Sequence, residues 1–207
     1  MLMVLAKVIA AYLVGSISGS LVLGKLRHVD IRQSGSGNAG GTNALRSQGV
    51  AFALAVVVID IGKGALAAGL IAPAWGHGPV SMLTLQGACG LAAIVGHMYP
   101  VYFGFRGGKG VATFAGVMLV LAPLAVAGAI AILLLTVVVT GYVGLGSILA
   151  AVSSVALVWL IKPATELVVF CALAAAVIVY AHRVNITRLR DGTEHRFERV
   201  RVVNWFK

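Results

Sequence analysis

The chain has 207 residues, of which 60% are hydrophobic and only 11% are charged, and its mean hydropathy is +1.01. Soluble domains carry about 25% charged residues, so this composition excludes a soluble globular protein and the disordered, fibrous and disulfide-scaffold classes. The formal net charge of +10 would suggest nucleic acid in a soluble protein, but in a membrane protein it indicates the positive-inside rule, anionic lipid or an anionic substrate. We therefore expect an all-α polytopic membrane protein with one domain over residues 1–207, in contact with membrane lipid and not with nucleic acid.

Apolar segments predict seven transmembrane helices. About 20 residues cross a bilayer, so the nearly uncharged stretch 111–181 has room for two, three or four crossings. Pro123, Gly141 and Pro163 divide this stretch into four short segments, although residues 111–141 could cross either once or twice. The expected spans are 2–24, 50–72, 81–99, 111–122, 124–141, 146–161 and 166–182.

An odd number of spans places most basic residues on one side of the membrane. With seven or five spans, the loops 25–49 and 100–110 share a side with the tail 183–207, and together they contain 13 of the 16 Lys and Arg residues. Six spans would put the tail on the opposite side. The positive-inside rule identifies the shared side as cytoplasmic, with the N-terminus outside.

Two of the spans contain small or charged residues at helical spacing. Gly15 and Gly19 are four residues apart in the first span, a spacing that lets another helix approach closely. Asp60 and Lys63 are three apart in the second span. Because an unpaired charge inside a bilayer is costly, we interpret them as a mutually neutralising structural pair, with a functional role as the alternative.

A first polar cluster, residues 35–46, reads GSGNAGGTNALR. Gly35, Gly37 and Gly40 match the dinucleotide-binding pattern G-x-G-x-x-G, but that pattern requires a preceding strand in a βαβ unit, and here a polar loop precedes it. Glycines still allow backbone N–H groups to converge on a phosphate. With hydroxyl, amide and guanidinium donors beside them, these glycines predict an anion-binding loop rather than a plain turn.

A second cluster extends from the end of the third span into the next helix. Arg106 and Lys109 flank Gly107 and Gly108 where that helix opens, and helix N-termini favour anions. Two juxtamembrane positive-inside charges are the alternative. His97, at the end of the span, could be a ligand or a structural hydrogen-bonding residue.

A third cluster follows the last span. His182, Asn185 and Arg188 are spaced by three, so we expect them to share a helical face. A helix end decorated with basic residues would explain Arg183 and Arg190, but it would not explain the asparagine.

In this order, the three clusters resemble the bacterial acyl-phosphate:glycerol-3-phosphate acyltransferases, the PlsY family. The resemblance extends from Gly15 to about Glu194 and leaves residues 195–207 as a basic C-terminal tail. It implies seven membrane helices and transfer of a fatty acyl group from acyl phosphate to the 1-hydroxyl of glycerol 3-phosphate, giving lysophosphatidic acid and phosphate for phospholipid biosynthesis. It also implies a multi-pass protein of the bacterial inner membrane with a cytoplasmic active site. The sequence departs from the family's usual pattern by small replacements at Ser18, Ala39 and Gly41.

We expect Lys109, His182 and Asn185 to be catalytic and to converge with Arg46, because the three loops that carry these residues share one predicted membrane face. The base is either His182 or a phosphate of the substrates, and the resemblance favours substrate assistance, with the protein supplying position and charge. The His-x4-Asp dyad of many glycerolipid acyltransferases is absent, since Tyr102 and Thr187 stand five positions after the two motif histidines. The residues expected to bind substrate are Ser36, Gly37, Asn38, Gly40, Thr42, Asn43, Arg46, His97, Arg106, Gly107, Gly108 and Arg188.

The rival hypothesis is a membrane transporter or channel for phosphate-type anions, although the sequence shows no internal repeat of the kind found in many transporters. A structural protein that binds anionic lipid headgroups would explain the basic tail but not the asparagines. We expect no cofactor and no metal, because no His, Asp or Glu cluster has ligand spacing. Cys89 and Cys171 are expected to be small core residues.

Overall fold

The computed structural model describes residues 1–197, and every regular element within that range is a helix. Most of the predicted basic tail, residues 198–207, lies outside the described residues. The helices are α1 Leu2–Gly15, α2 Gly19–Leu26, α3 Gly41–Gln48, α4 Val50–Leu66 with a π-helical extension Ala67–Ile71, α5 Met82–Met98, α6 Val111–Leu121, α7 Pro123–Thr140, α8 Val143–Ile161, α9 Thr165–Ala181 and α10 Arg183–Arg190, with 3-10 turns at Ile31–Gln33 and Val101–Phe103.

The predicted all-α membrane class is confirmed. Within the described part of the chain, four helices are long and apolar enough to cross a membrane, and two bent pairs qualify if each pair counts as one span. The remaining apolar helix, α6, has only 11 residues. Each of the seven predicted spans coincides with one of these segments, whereas the number that cross the bilayer stays a prediction.

The first predicted span, residues 2–24, is broken rather than continuous. α1 and α2 meet at an angle of 46° across residues 16–18, where Ser18 has an extended backbone. Ser16 Oγ donates to Tyr12 O at 2.9 Å, a backbone contact of the kind that often bends helices. The carbonyl of Ile17 and the N–H of Gly19 are bonded by side chains of α4 instead of by their own helix.

The predicted polar loop 25–49 is more structured than expected, because it contains α3. Residues 183–190 form the helix α10, as the spacing of the third cluster predicts, but only after a bend of 58°. Each of these two helices has only eight residues and few apolar ones, so neither stands out in the sequence as a long apolar segment.

Contacts group the chain into two compact units, Met1–Leu121 and Ala122–Lys207, while the single domain predicted for residues 1–207 stays a prediction. Close helix contacts in the first unit depend on small residues. A Cβ atom on Gly15 would lie 2.3 Å from Ala93 O, and one on Gly19 would lie 2.9 Å from Val56 O. The close approach predicted from these two glycines is confirmed.

The second unit is built on the neighbouring helices α7, α8 and α9. Leu134 and Leu135 of α7 and Leu160 of α8 are exposed, as expected of faces that contact lipid. The beginning of the tail is anchored to the turn between α7 and α8, because Phe197 N donates to Gly141 O at 2.9 Å. Residues up to 197 are therefore attached to this unit rather than forming a separate tail.

Candidate active site

The first glycine loop is held in shape by a buried amide. Asn43 is 1% exposed; its Oδ1 accepts from Ser36 N at 2.9 Å, and its Nδ2 donates to Ile31 O and Ser34 O, both at 3.0 Å. Gly35 has a φ of +59°, and a Cβ there would lie 2.2 Å from Asn43 Oδ1. Asn43 therefore shapes the loop, which differs from the direct substrate contact that the motif predicts.

The same loop leads into a helix end that can accept an anion. α3 begins at Gly41 without a side-chain cap among the described residues, and Ala44 N makes the first helical hydrogen bond, to Gly40 O at 3.0 Å. The earlier N–H groups of an α-helix have no intrahelical partner and carry partial positive charge. Asn38 borders this end, since its Nδ2 lies 2.7 Å from the place of a Cβ on Gly40. Half-buried Thr42 lies in its first turn.

The backbone N–H groups of the second glycine loop are used within the protein. Gly107 N donates to Met98 O and Gly108 N donates to His97 O, each at 3.1 Å, so neither N–H is available to an anion. The glycines are required by space instead. A Cβ on Gly107 would lie 2.0 Å from His97 O, and one on Gly108 would lie 2.2 Å from His97 Nε2. Substrate contact by Gly107 and Gly108 stays a prediction, and the basic side chains of Arg106, which is exposed, and Lys109, which is half-buried, are the donors beside them.

The two glycine loops meet in the first unit. The position of a Cβ on Gly108 lies 2.9 Å from Ala39 O as well as beside the ring of His97. The structure therefore brings residues of the first cluster together with His97 and the loop that carries Lys109.

Arg32, one of the basic residues of the loop 25–49, connects this loop to the second glycine loop. Arg32 Nη1 donates to Phe103 O at 3.0 Å and to Arg106 O at 3.2 Å. Asp30 holds the guanidinium through Arg32 Nη2 at 2.8 Å, and this hydrogen bond lowers the pKa of the Asp30 carboxyl. The pair D-x-R in a polar loop is too common to signal such a role in a sequence.

Arg46 lies on α3 and is exposed. It lines a cavity of about 440 Å³ together with Asp30, Ser34, Gly35 and Ser47. Arg46 is thus on the same short helix as the uncapped N-terminus, although it is in the last turn.

A buried polar network lies behind the second loop. Lys63 Nζ is 2.9 Å from Asp60 Oδ1, so the predicted ion pair is confirmed. The pair also reaches His97, whose Nδ1 is 2.8 Å from Lys63 Nζ and 3.4 Å from Asp60 Oδ1. All three side chains are at most 5% exposed. Their contacts join them into one buried network, which the spacing of Asp60 and Lys63 does not reveal because His97 lies on another helix.

The third cluster belongs to the second unit, and a bend separates its first two members. His182 ends α9, whereas Asn185 and Arg188 lie in α10, so the predicted common helical face holds only for the last two. His182 is 3% exposed and its Nδ1 donates to Ile178 O at 2.8 Å. A neutral imidazole that donates at Nδ1 has its lone pair on Nε2, which suits a proton acceptor.

Asn185 is oriented by a glutamate that was not among the expected site residues. Asn185 Nδ2 donates to Glu194 Oε1 at 2.7 Å, and Gly144 packs directly against the same amide. Thr193 N and Glu194 N both donate to Arg188 O, which returns the chain to α10. Glu194 Oε2 is buried and has no hydrogen-bond partner among residues 1–197.

These features define a class of protein: a helical integral membrane protein with glycine loops, an open helix N-terminus and basic side chains suited to a phosphate-bearing ligand. Among the described residues, no group of three or more His, Cys, Asp or Glu side chains could hold a metal ion. Both cysteines are buried and neither forms a disulfide within residues 1–197, as expected of small core residues.

Comparisons with known proteins place the chain in a family. The family model described as glycerol-3-phosphate acyltransferase matches residues 5–192. Proteins named glycerol-3-phosphate acyltransferase from Trichlorobacter lovleyi and Chlorobaculum tepidum are 44% and 39% identical, covering 91% and 95% of this chain and 94% and 97% of their own. The chain belongs to the glycerol-3-phosphate acyltransferase family.

A solved relative has the same architecture. The crystal structure of PlsY (YgiH), an integral membrane glycerol 3-phosphate acyltransferase, in its glycerol 3-phosphate form matches with a TM-score of 0.86 at 38% identity, over 94% of this chain and 95% of that one. Its lysophosphatidic acid form matches with the same TM-score at 37% identity, over 97% and 98% of the two chains. The resemblance to the PlsY family inferred from the three clusters is thus confirmed.

Proposed function

We propose that this protein transfers a fatty acyl group from acyl phosphate to the 1-hydroxyl of glycerol 3-phosphate, forming lysophosphatidic acid and releasing phosphate. The observation that carries the proposal is the meeting of the two glycine loops beside His97, since the second of these loops carries Lys109. The named relatives and the two ligand forms of the solved relative support glycerol 3-phosphate as the acceptor. They favour acyl transfer over the alternative of anion transport.

The reaction requires charge stabilisation more than acid catalysis. The hydroxyl oxygen attacks the acyl carbonyl carbon, the bond from that carbon to the phosphate oxygen breaks, and phosphate leaves with the electron pair. Negative charge grows on the carbonyl oxygen and on the departing phosphate, where preorganised donors are most effective. We assign this stabilisation to Lys109, with glycerol 3-phosphate held by Arg46 and the N-terminus of α3.

The hydroxyl proton needs an acceptor. His182 is suited to this role, because the hydrogen bond from its Nδ1 to Ile178 O leaves Nε2 unprotonated in the neutral ring. A phosphate oxygen of a substrate is the other acceptor, and the family resemblance favours it. We assign Asn185 to positioning the reacting groups, since Glu194 holds its amide in place.

The site is proposed to face the cytoplasm from the bacterial inner membrane. Both substrates then reach it from the side on which most of the basic residues lie. The acyl chain would remain in contact with the apolar helix faces while its phosphate enters the site.

The function is tested with the purified full-length protein in detergent. Acyl phosphate, acyl-CoA and acyl carrier protein thioester are compared as donors with glycerol 3-phosphate. We expect lysophosphatidic acid from acyl phosphate alone, and no loss of rate on chelation of divalent metals. Comparable turnover with acyl-CoA would overturn the donor assignment. Absence of product from every donor would overturn the enzyme assignment, since a transporter forms no product.

A further inference from the structure

We propose that Lys63 and Asp60 are positioning residues that fix His97 in the tautomer with its proton on Nε2 and present that N–H to the ligand at the second glycine loop. The ligand chemistry is a phosphate oxyanion, carried by either glycerol 3-phosphate or acyl phosphate. The ligand part of this inference rests on the proposed function, whereas the tautomer does not.

The donor count of Lys63 sets the tautomer. A lysine ammonium has three N–H donors and no acceptor. Lys63 Nζ has three acceptors around it: Ile17 O at 3.0 Å, Asp60 Oδ1 at 2.9 Å and His97 Nδ1 at 2.8 Å. Nδ1 is closer to this donor than to Asp60 Oδ1, at 2.8 Å against 3.4 Å, which favours acceptance from lysine over donation to the carboxylate. A neutral ring that accepts at Nδ1 carries its proton on Nε2.

Asp60 makes the arrangement possible by balancing the ammonium charge, since an unpaired charge is costly at this depth. The break between α1 and α2 supplies two further partners to the pair. Gly19 N donates to Asp60 Oδ1 at 3.1 Å, and Ile17 O accepts from Lys63. The broken first helix thus has a use, because it supplies a free carbonyl and a free N–H to the network.

The opposite edge of the ring faces the glycine loop. His97 is 3% exposed, and a Cβ on Gly108 would lie 2.2 Å from its Nε2. No hydrogen bond joins Nε2 to another group within residues 1–197. A proton at this position would attract a phosphate oxygen beside Lys109, whereas a lone pair would repel it. His182 has the opposite arrangement, with its proton on Nδ1.

The tautomer is measured by nitrogen NMR on the full-length protein with ¹⁵N-labelled histidine in detergent micelles. The His97 signals are identified as those missing from His97→Gln. We expect His97 to show an unprotonated Nδ1 and a protonated Nε2, and His182 to show the reverse. A protonated Nδ1 in His97 would overturn the proposal. This measurement needs no catalysis, so it is separate from any failure of the acyl-transfer assay.

Ligand titrations in the same sample identify the source of the oxyanion. Glycerol 3-phosphate, inorganic phosphate and a non-hydrolysable acyl phosphonate are added separately. We expect at least one to shift the Nε2 resonance of His97 while leaving Nδ1 bound to lysine. The ligand that does so identifies the phosphate that the histidine contacts. No shift with any of the three would overturn the ligand part of the proposal.

The positioning role is tested with the double variant Asp60→Asn/Lys63→Met, which removes both charges and so leaves no unpaired ion in the membrane. We expect its His97 to lose the single Nε2–H tautomer and the Michaelis constant for the contacted substrate to rise about tenfold, as for one charged hydrogen bond, with a smaller change in kcat. Unchanged tautomer and Michaelis constant in the folded variant would overturn the role. Should this variant not fold, the wild-type spectrum decides.

A matched control is available in the same unit. Lys7 is also buried, but its Nζ donates to the backbone carbonyls of Ala72 and Gly76 and makes no contact with His97. Lys7→Met should leave the His97 tautomer and the Michaelis constants unchanged, even if it lowers thermal stability. A change in the tautomer of this variant would show that any buried lysine has the effect, and would overturn the specific role of Lys63.

Discussion

At the scale of single residues, side chains of the same type have different roles because their hydrogen-bond partners differ. His182 donates from Nδ1 to a carbonyl, which leaves a basic nitrogen, whereas His97 accepts at Nδ1 from a lysine. Asn43 uses both ends of its amide to shape a loop, and Asn185 is held by Glu194. A motif in a sequence names the residue type, but only the partners decide whether it binds substrate or supports the residue that does.

Lys109 is expected to be the most sensitive basic residue for catalysis. A hydrogen bond to a charged group contributes about 1.5–3 kcal/mol, so Lys109→Ala should lower kcat/KM by on the order of tenfold to a hundredfold or more. Lys109→Arg should also be impaired, because a planar guanidinium does not replace a compact ammonium. The control Arg190→Ala, at an exposed position of α10, should change little. Near-full activity of Lys109→Ala at subsaturating glycerol 3-phosphate would contradict the assignment.

Asn185→Ala is expected to affect both activity and stability. The substitution removes the partner of Glu194 Oε1, and Oε2 already lacks one among the described residues. A buried group without a partner costs about 1–3 kcal/mol, so thermal stability should fall by a few degrees while activity falls at least tenfold. The double variant Asn185→Ala/Glu194→Ala should recover part of the stability but none of the activity. Recovery of activity in the double variant would show that the asparagine has only a structural role.

At the scale of elements, hydrophobicity predicted where helices lie but not how they bend or what their glycines do. The break at residues 16–18 contains no proline, and its cause is partly tertiary, since Lys63 and Asp60 of α4 bond the freed backbone groups. The glycine pair 107–108 was expected to contact substrate, and backbone N–H groups are the only hydrogen-bond donors of a glycine. Those groups are bonded to carbonyls of Met98 and His97, and no sequence pattern reveals which neighbour a loop will fold back on.

Gly108→Ala tests the contact between the two glycine loops. Its new methyl group would lie 2.2 Å from His97 Nε2 and 2.9 Å from Ala39 O, so the loops must separate. We expect the Michaelis constant for glycerol 3-phosphate to rise about tenfold or more, because one charged contact is lost. Steady-state kinetics measures this change. The control is Gly62→Ala on α4, where a Cβ meets nothing within 4 Å; it should keep wild-type kinetics and gain slight stability from helix propensity. Equal kinetics in both variants would contradict the loop contact.

At the scale of the whole molecule, the residues proposed for one reaction are distributed between two compact units. The glycine loops and the His97 network belong to residues 1–121, and the cluster around Asn185 belongs to the unit from Ala122 onward. A composite site requires that both sets lie on one face of the membrane. The positive-inside rule predicts this from the sequence, and the prediction depends on the number of crossings in the second half of the chain.

The critical segment is 111–140, which is two helices, α6 and α7. α6 has 11 residues and is therefore about 16 Å long, shorter than the ~30 Å apolar thickness of a bilayer. If α6 crosses with help from its flanking residues, the chain has seven spans and the cluster around Asn185 is cytoplasmic. If α6 and α7 cross once together, there are six, and that cluster lies outside. Seven spans and six spans therefore place the cluster around Asn185 on opposite sides of the membrane.

Cysteine labelling in intact cells and inverted vesicles distinguishes the two arrangements. Gln33, His77 and Thr193 are exposed, while native Cys89 and Cys171 are buried and should not react with an impermeant thiol reagent. We expect Gln33→Cys and Thr193→Cys to react only from the cytoplasmic side and His77→Cys only from outside, with the unsubstituted protein as the background. Reaction of Thr193→Cys from outside would mean six crossings. The cluster around Asn185 would then face away from the glycine loops, and neither His182 nor Asn185 could act on a substrate held by Lys109.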